Sequence, residues 1–389
     1  MIYPTPDPRS DAPGVPGLIE WLSGDECHDA PDGEVLAVLG RRLRGLGLPI
    51  DRLSLHLRTL HPEILARTVA WSEGEPVAMQ DRDISVERLP DYESNPLRRT
   101  TRDRLWLTLS TPDEMVRMEQ LDFFRGRGLA VVEIVPLVMG QTPASCVCFA
   151  TRRSEGFRPE GLALIRRLIP ALRSACEIRL LRLAEATLLD TYVGRISGRR
   201  ILDGHIRRGD VETLDAALLL CDLRDFTVLS NRLPPEQMLD RLNLYFDQVV
   251  PGITAHGGEV MKFMGDAVLA FFHHEEGAAA SCAAAFKAAS EALARIHSVS
   301  QAGTPLSAGV ALHHGTVAYG NIGSGGRLDF TVIGRDVNLV SRIQTACATT
   351  GQPLLMSPRF NALLDRPGSR SIGLHPLKGF DEPLELFAS

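Results

Sequence analysis

No apolar run in this 389-residue sequence approaches the roughly 20 residues that a membrane-spanning helix needs; a typical long one is Ala216 to Cys221. The N-terminus, MIYPTPDPRSDAPGVPG, lacks the basic start and apolar core of a secretory signal. Its prolines make it read as a flexible lead-in. An excess of positive charge is also missing. Lys plus Arg total 42 against 48 for Asp plus Glu, a net charge of −6. That gives no electrostatic case for nucleic acid or an anionic membrane as partner. Cysteine is sparse and scattered, seven in all, an odd number that argues against a disulfide framework and for a reducing cytoplasm. Only Cys146 and Cys148 are close, and a single C-x-C without two further ligands is no zinc site.

What is present is ordinary for a globular protein: 44% hydrophobic and 23% charged residues. The length suits two domains. The sequence divides into a flexible segment over 1–30, a sensor-like α+β domain over 31–158 with an exit helix to about 180, a helical linker over 181–210 and an α+β domain over 211–389. In the first domain, EVLAVLGRRLRGL from Glu34 has the three-and-four spacing of an amphipathic helix, stopped by Gly47 and Pro49. DRLSLHLRTL alternates Leu53, Leu55 and Leu57 with Ser54, His56 and Arg58, as a half-buried strand does. ILARTVAWS, Leu105 to Leu109, AVVEIVPLV and ASCVCFATR read as further strands. STPDEMVRMEQLDFFRGRGL reads as a capped helix, and the stretch from Glu73 to Arg104 as polar and irregular.

A long helix follows, from Pro159 to about Val193. Its apolar positions Leu162, Ile165, Ile169, Leu172, Cys176, Leu180, Leu183 and Thr187 step by three and four, a heptad pattern with one stutter. Beyond Ala175 the stripe predicts a contact with a second copy, and Pro170 predicts a kink or break. This order of elements resembles a GAF-type sensor domain, with a PAS domain as the alternative. The resemblance implies a small-molecule or protein regulator. It rests on element order and carries no specific motif.

Two segments of the second domain can carry chemistry. The strand ALLLCD ends in Asp222 and runs into Leu223-Arg224-Asp225-Phe226-Thr227. A carboxylate at a buried strand end can hold a hard cation beside backbone amides that suit phosphate. The second, GGEVMKFMGDAVLAFF, reads as a hairpin closed by Gly265-Asp266. Taken separately, each segment suits an ordinary cap or turn.

Taken together, D-x-x-x-F-T followed some forty residues later by K-x-x-G-D, then Asp329 to Arg342 (DFTVIGRDVNLVSR) and Pro376 to Phe380 (PLKGF), closely resemble the class III nucleotidyl cyclases over Val211 to Phe387. The resemblance implies a ferredoxin-like core with a central antiparallel-type sheet flanked by helices. It implies that Asp222 and Asp266 hold two divalent ions, Mg²⁺ or Mn²⁺. Leu223, Arg224, Asp225, Phe226 and Thr227 would wrap the phosphates, Asn338 and Arg342 would orient ribose and stabilise the transition state, and Lys378 would neutralise the terminal phosphates. Lys262 and Thr331 stand at the base-reading positions. Lys262 only donates, so it suits adenine N1, and the Thr331 hydroxyl accepts from the adenine amine. Guanylate cyclases usually have Glu and Cys there, so ATP is the expected substrate. Many adenylate cyclases have Asp where Thr331 stands, and those with Thr form a subgroup associated with bicarbonate stimulation.

In that family each site takes its carboxylates from one protomer and its remaining groups from the other, which implies a homodimer with two shared sites. The expected activity is thus an adenylate cyclase, a phosphorus–oxygen lyase. A guanylate cyclase and a non-catalytic dimeric nucleotide-binding module are the alternatives. Other residues are expected to be structural. Cys146 and Cys148 are core. His273-His274 and His313-His314 lie in solvated loops or at strand ends. Gly323 to Gly326 form a hairpin tip. The Ala-rich run from Gly277 packs on the sheet. Arg199, Arg200, Arg207 and Arg208 form a solvated face or salt bridges to the partner chain.

Overall fold

A computed structural model describes residues 14–110, 127–140, 144–302, 305–364 and 368–389. The chain divides into two compact units, Met1–Leu188 and Leu189–Ser389. No helix among the described residues is long and apolar enough to cross a membrane. All seven cysteines are free and buried.

The first unit has three helices, α1 (Val15–Ser23), α2 (Asp25–Asp29) and α3 (Asp32–Gly45), before an antiparallel sheet. Its strands are β1 (Arg52–Arg58), β2 (Ile64–Ser72), β3 (Ala78–Asp83), β4 (Leu107–Leu109), β5 (Val131–Leu137) and β6 (Ser145–Thr151), in the order β3-β2-β1-β6-β5-β4. A 3₁₀ turn (Ile84–Arg88) and helix α4 (Pro96–Asp103) lie between β3 and β4, and helix α5 (Pro159–Val193) leaves the unit.

The first unit departs from its sequence pattern at three places. First, the lead-in expected to be flexible to residue 30 is helical from Val15. Leu18, Trp21, Leu22 and Cys27 are buried in the main core, and Arg179 of α5 donates to Cys27 O at 2.7 Å and pairs with Asp32 at 2.7 Å. Burial of these large side chains, about 1.5–3 kcal/mol each, offsets the cost of ordering a short, poorly capped segment. Second, the stretch expected to be irregular contains β3 and α4. Strand β3 is exposed along its length, so it has no apolar alternation; its ladder to β2 and the Arg67–Asp81 pair at 2.7 Å define it. Third, the polar face of β1 is not solvated. Ser54 and His56 are 0% and 8% exposed, and His56 bonds Ser54 Oγ at 3.0 Å and Thr68 Oγ1 at 3.1 Å. A buried polar face is tolerated because it is internally hydrogen-bonded. The helix expected over 110–129 falls largely outside the described residues.

Helix α5 runs unbroken through Pro170. Its first half buries Ile165, Leu168, Leu172, Ala175, Cys176 and Leu180, while Leu181, Leu188 and Tyr192 are exposed on the second half.

The second unit opens with the end of α5 and with α6 (Arg195–Leu202). Gly194 joins them at φ 95°, and a Cβ there would lie 2.6 Å from Glu259 Oε1. The Ser197 N–H and hydroxyl both donate to that oxygen, at 3.0 and 2.8 Å, so α6 is fastened to the sheet by a buried carboxylate.

The sheet has eight strands. They are β7 (Val211–Leu223), β8 (Glu259–Met264), β9 (Ala267–Phe272), β10 (Ala308–Ser324), β11 (Arg327–Ile333), β12 (Leu354–Met356), β13 (Arg370–His375) and β14 (Leu384–Ala388). Their order is β13-β14-β12-β10-β7-β9-β8, with β11 extending from β10. The short helix α7 (Phe226–Ser230), α8 (Pro235–Ala255), the Ala-rich α9 (Ala278–Gln301), α10 (Arg335–Thr350) and α11 (Pro358–Leu364) complete the unit. It is α+β, as expected. Small side chains let α9 pack closely: Cys282, Ala285, Ala288, Ala289 and Ala292 are all buried against one sheet face. Helix α10 packs on the other face through Val340, Ile343 and Cys347. Gly325 and Gly326 form the β10–β11 hairpin tip, flanked by the pair Ser324 and Arg327.

His313 and His314 are neither loop nor strand-end residues. They lie inside β10 at 4% and 1% exposure, because this strand runs far longer than its apolar pattern suggests. His313 Nδ1 bonds Ser357 Oγ at 2.7 Å and Nε2 bonds Asp336 at 3.2 Å. Asp336 also accepts from Thr316 N–H at 2.7 Å, so this network fixes the first turn of α10 to β10.

Candidate active site

Strand β7 is apolar and buried on both faces from Ala216 to Cys221 and then reaches Asp222, whose register partner on β9 is Ala267. Ala267 follows the two-residue turn Gly265-Asp266, closed by the pair Met264 and Ala267. Two adjacent strands therefore bring Asp222 and Asp266 side by side, within hydrogen-bonding reach of each other. Burial and then the Asp266 carboxyl raise Asp222 to about 7, against weaker help from Gln344 and the Leu223 amide. Two neighbouring carboxyls of which one resists ionisation lack a positive partner, and a divalent cation with oxygen preference fits that deficit.

Beyond Asp222 the chain turns at Asp225, one of two described non-glycine residues with positive φ (59°). This conformation starts α7, and N–H groups around a left-handed residue form a concavity suited to anionic oxygens. The five residues expected to wrap phosphate are not equivalent. The Leu223 side chain is in the core. Arg224 is occupied elsewhere: its amide donates to Ser307 O at 2.8 Å, and its guanidinium to Cys347 O at 3.1 Å and Gln352 O at 2.5 Å. It clamps the end of α10 to β7. Asp225, Phe226 and Thr227 remain, at the start of α7.

Lys262 lies on β8 and Thr331 on β11. Lys262 Nζ is ion-paired with Asp329, and Asp329 and Thr331 are two apart on one strand, hence on the same face. This carboxylate fixes the lysine on the strand face that also carries the threonine. Asp329 was read in the sequence only as the first residue of a motif, with no role of its own. An exposed Asp on a hairpin arm gives no signal until the partner strand is known.

Asn338 and Arg342 sit one turn apart on α10, Asn338 exposed and Arg342 half-buried. Gln344, which hydrogen-bonds Asp222, is two residues beyond Arg342. Two steps of about 100° turn the helix by roughly 200°, so Arg342 and Gln344 leave it in nearly opposite directions. Asn338 and Arg342 are thus directed away from the Asp222–Asp266 pair of their own chain. Lys378 is exposed in the loop between β13 and β14. Among the described residues no three metal-ligating side chains cluster.

Residues 211–375 match the family Adenylate and Guanylate cyclase catalytic domain. The chain is 31% identical over 193 residues to an adenylate cyclase from Anabaena cylindrica, covering 47% of this chain and 38% of that protein. It therefore spans well under half of that relative's length. Among solved structures, the adenylyl cyclase CyaB from P. aeruginosa matches with 28% identity and a TM-score of 0.42, over 46% of this chain and 94% of that one. The guanylyl cyclase Cya2 matches with 30% identity and a TM-score of 0.40, over 46% and 92%. The second unit carries a class III adenylate/guanylate cyclase catalytic domain.

Proposed function

We propose that the chain is an adenylate cyclase, forming 3′,5′-cyclic AMP and pyrophosphate from ATP at two sites shared within a homodimer. The cluster of Lys262, Asp329 and Thr331 carries the choice of ATP. A lysine fixed by Asp329 donates to adenine N1, and the Thr331 hydroxyl accepts from the exocyclic amine. Guanine, with a donor at N1 and an acceptor at O6, meets a donor where it needs an acceptor.

Asp222 and Asp266 would hold two divalent ions, Mg²⁺ or Mn²⁺, whose chemistry is to acidify the ribose 3′-hydroxyl and neutralise the triphosphate. The amides of Asp225, Phe226 and Thr227 bind the β- and γ-phosphates. Asn338 holds the ribose so that O3′ lines up with the α-phosphorus. Arg342 donates to the phosphoryl oxygens where charge builds, and does so at any working pH. Lys378 meets the terminal phosphates. The O3′–P bond forms as the bond to pyrophosphate breaks, and the 3′ proton leaves to solvent.

The outward direction of Asn338 and Arg342 supports the shared sites, since the groups that complete each carboxylate pair must then come from another copy. Exposed Phe263, Met264, Leu328 and Ile333 on β8, β11 and the hairpin they border give a second copy apolar surface to cover. The exposed Leu181, Leu188 and Tyr192 of α5 fit a helical dimer contact in the same assembly. The first unit is read as a GAF-type sensor and α5 with α6 as the transducer. Seven free thiols suit a reducing cytoplasm. Turnover of ATP and GTP side by side, followed by pyrophosphate release, tests the reading. ATP is expected to be preferred by at least tenfold in kcat/KM; a preference for GTP, or no pyrophosphate, removes it.

A further inference from the structure

The described residues of the first unit enclose a cavity of about 640 Å³ between the sheet and the segment from Val86 to Thr101. This is the size of small-molecule sites. The floor is formed by His56, Thr68 and Cys146, on β1, β2 and β6. Its polar atoms are already satisfied: His56 spends both ring nitrogens on Ser54 and Thr68. The walls include Leu65, Ala66, Val86, Leu89 and Leu97.

Polar recognition is concentrated at one end. There Arg58, the last residue of β1, donates to Tyr92 Oη at 2.8 Å and to Glu87 Oε1 at 3.1 Å. Arg98 lies over the Tyr92 ring at 5.4 Å from its centroid and pairs with Glu93 at 3.2 Å. Arg58, Arg82 and Arg98 line the cavity, against a single acid, Asp91. The counter-ion of Arg58, Glu87, is 39% exposed, and an ion pair at such a site is weak.

We infer that this cavity binds an amphipathic monoanion, an apolar body bearing one carboxylate or phosphate, whose head replaces Glu87 on Arg58 beside the Tyr92 hydroxyl. The apolar walls, the saturated floor and the single cationic end exclude three alternatives. A polyanion finds one end only, a sugar finds few free polar groups, and a cation meets arginines. Replacement of Glu87 also releases the 3₁₀ turn from the strand. The residues after Arg58, Thr59 and Leu60, border a small cleft with Leu180, Leu183, Ala184 and Thr187 of α5, so the exchange happens beside the exit helix. This inference does not depend on the cyclase reading.

The test is calorimetric titration of the full chain with decanoate and with 1-naphthoate, which separate an aliphatic from an aromatic body. Each is compared with its alcohol, 1-decanol or 1-naphthalenemethanol, and with decylammonium. At least one acid should bind saturably, one per chain, at least tenfold tighter than its alcohol, and decylammonium should not bind. Arg58→Ala should abolish the preference for the acid. Its fold is checked by thermal melting. Glu87→Gln leaves Arg58 and Tyr92 intact and should tighten acid binding several-fold. Absence of saturable binding by both acids, equal binding of acid and alcohol, or an unchanged affinity in Glu87→Gln would overturn the inference.

Discussion

Lys262 of β8 is ion-paired with Asp329 of β11, and Asp329 shares a strand face with Thr331. A flexible lysine is in this way held at one place on the sheet. Asp329→Ala frees it, at a cost to the ordered geometry and not to the chemistry of phosphate transfer. The expected outcome is a rise of about tenfold in KM for ATP, roughly 1.4 kcal/mol, with a smaller ATP/GTP preference and kcat changed less than threefold. Steady-state kinetics with both nucleotides checks it. Unchanged KM and preference would remove Asp329 from base recognition.

Metal binding at the proposed Asp222–Asp266 site should depend on pH. Burial and Asp266 raise Asp222 to about 7, above its usual carboxylate value. Below that pH a proton must leave before a cation can bind, so apparent Mn²⁺ affinity should fall by up to about tenfold per unit between pH 7 and 6 and level off above 7. The stability of metal-free protein runs the other way. A raised acid binds more protons folded than unfolded, so its contribution declines as pH rises from about 4 to 7. Asp222→Asn should flatten that decline and abolish metal-dependent turnover. Titration of Mn²⁺ at pH 6, 7 and 8, with melts in chelator, checks both signs.

Because Arg342 and Gln344 leave α10 in nearly opposite directions, complementation is expected. Asp222→Ala and Arg342→Ala chains should each be inactive alone, by about 100-fold or more. Mixed, they should regain activity from the one good site in each heterodimer. No recovery, with exchange of subunits confirmed by mass spectrometry, would sink the shared site.

Helix α6 is fastened through a buried network in which Ser197 meets Glu259 of β8 and, at 2.9 Å, the Tyr319 hydroxyl of β10. Ser197 is fully buried and donates twice to Glu259, whose carboxyl is raised by its own burial. Ser197→Ala removes one of those donors and should destabilise the second unit by about 1–3 kcal/mol. Glu259→Gln keeps an acceptor without the buried charge. It should be more stable than the parent protein at pH 8 and show less loss of stability between pH 5 and 8. Melting curves of the two variants decide this.

Gly315 faces the Asp336 carboxylate so closely that a Cβ there would collide with it. Gly315→Ala should therefore displace Asp336 from His313 and Thr316 and move the start of α10, two residues before Asn338. A loss of kcat of tenfold or more with near-normal dimerisation is expected. A small effect on kcat would mean that α10 is held by its apolar face alone.

The cyclase-like half was legible because its motifs place rare combinations of residues at turns. Asp222 after a run of core residues, Gly265-Asp266 in a hairpin and Asn338 with Arg342 on one helical face are local patterns with few other readings. The first half was less legible. Strand β3 has no apolar alternation, since an exposed edge strand is defined by its ladder and not by burial. Helices α1 and α2 were concealed by the prolines around them, and their order comes from Trp21 and Leu22 reaching the core.

The sequence by itself determined the candidate site residues, the hairpin turns, the Ala-rich helix and the burial of Cys146 and Cys148, because each depends on neighbours within a few positions. Only the tertiary structure decided that Arg224 is a clamp, that His313 and His314 are interior, that Asp329 holds Lys262 and that the polar face of β1 floors a cavity. Those facts are set by contacts between residues far apart in the chain. Whether a polar side chain is free to bind a ligand depends on which distant donor or acceptor already satisfies it, and no local pattern encodes that partner.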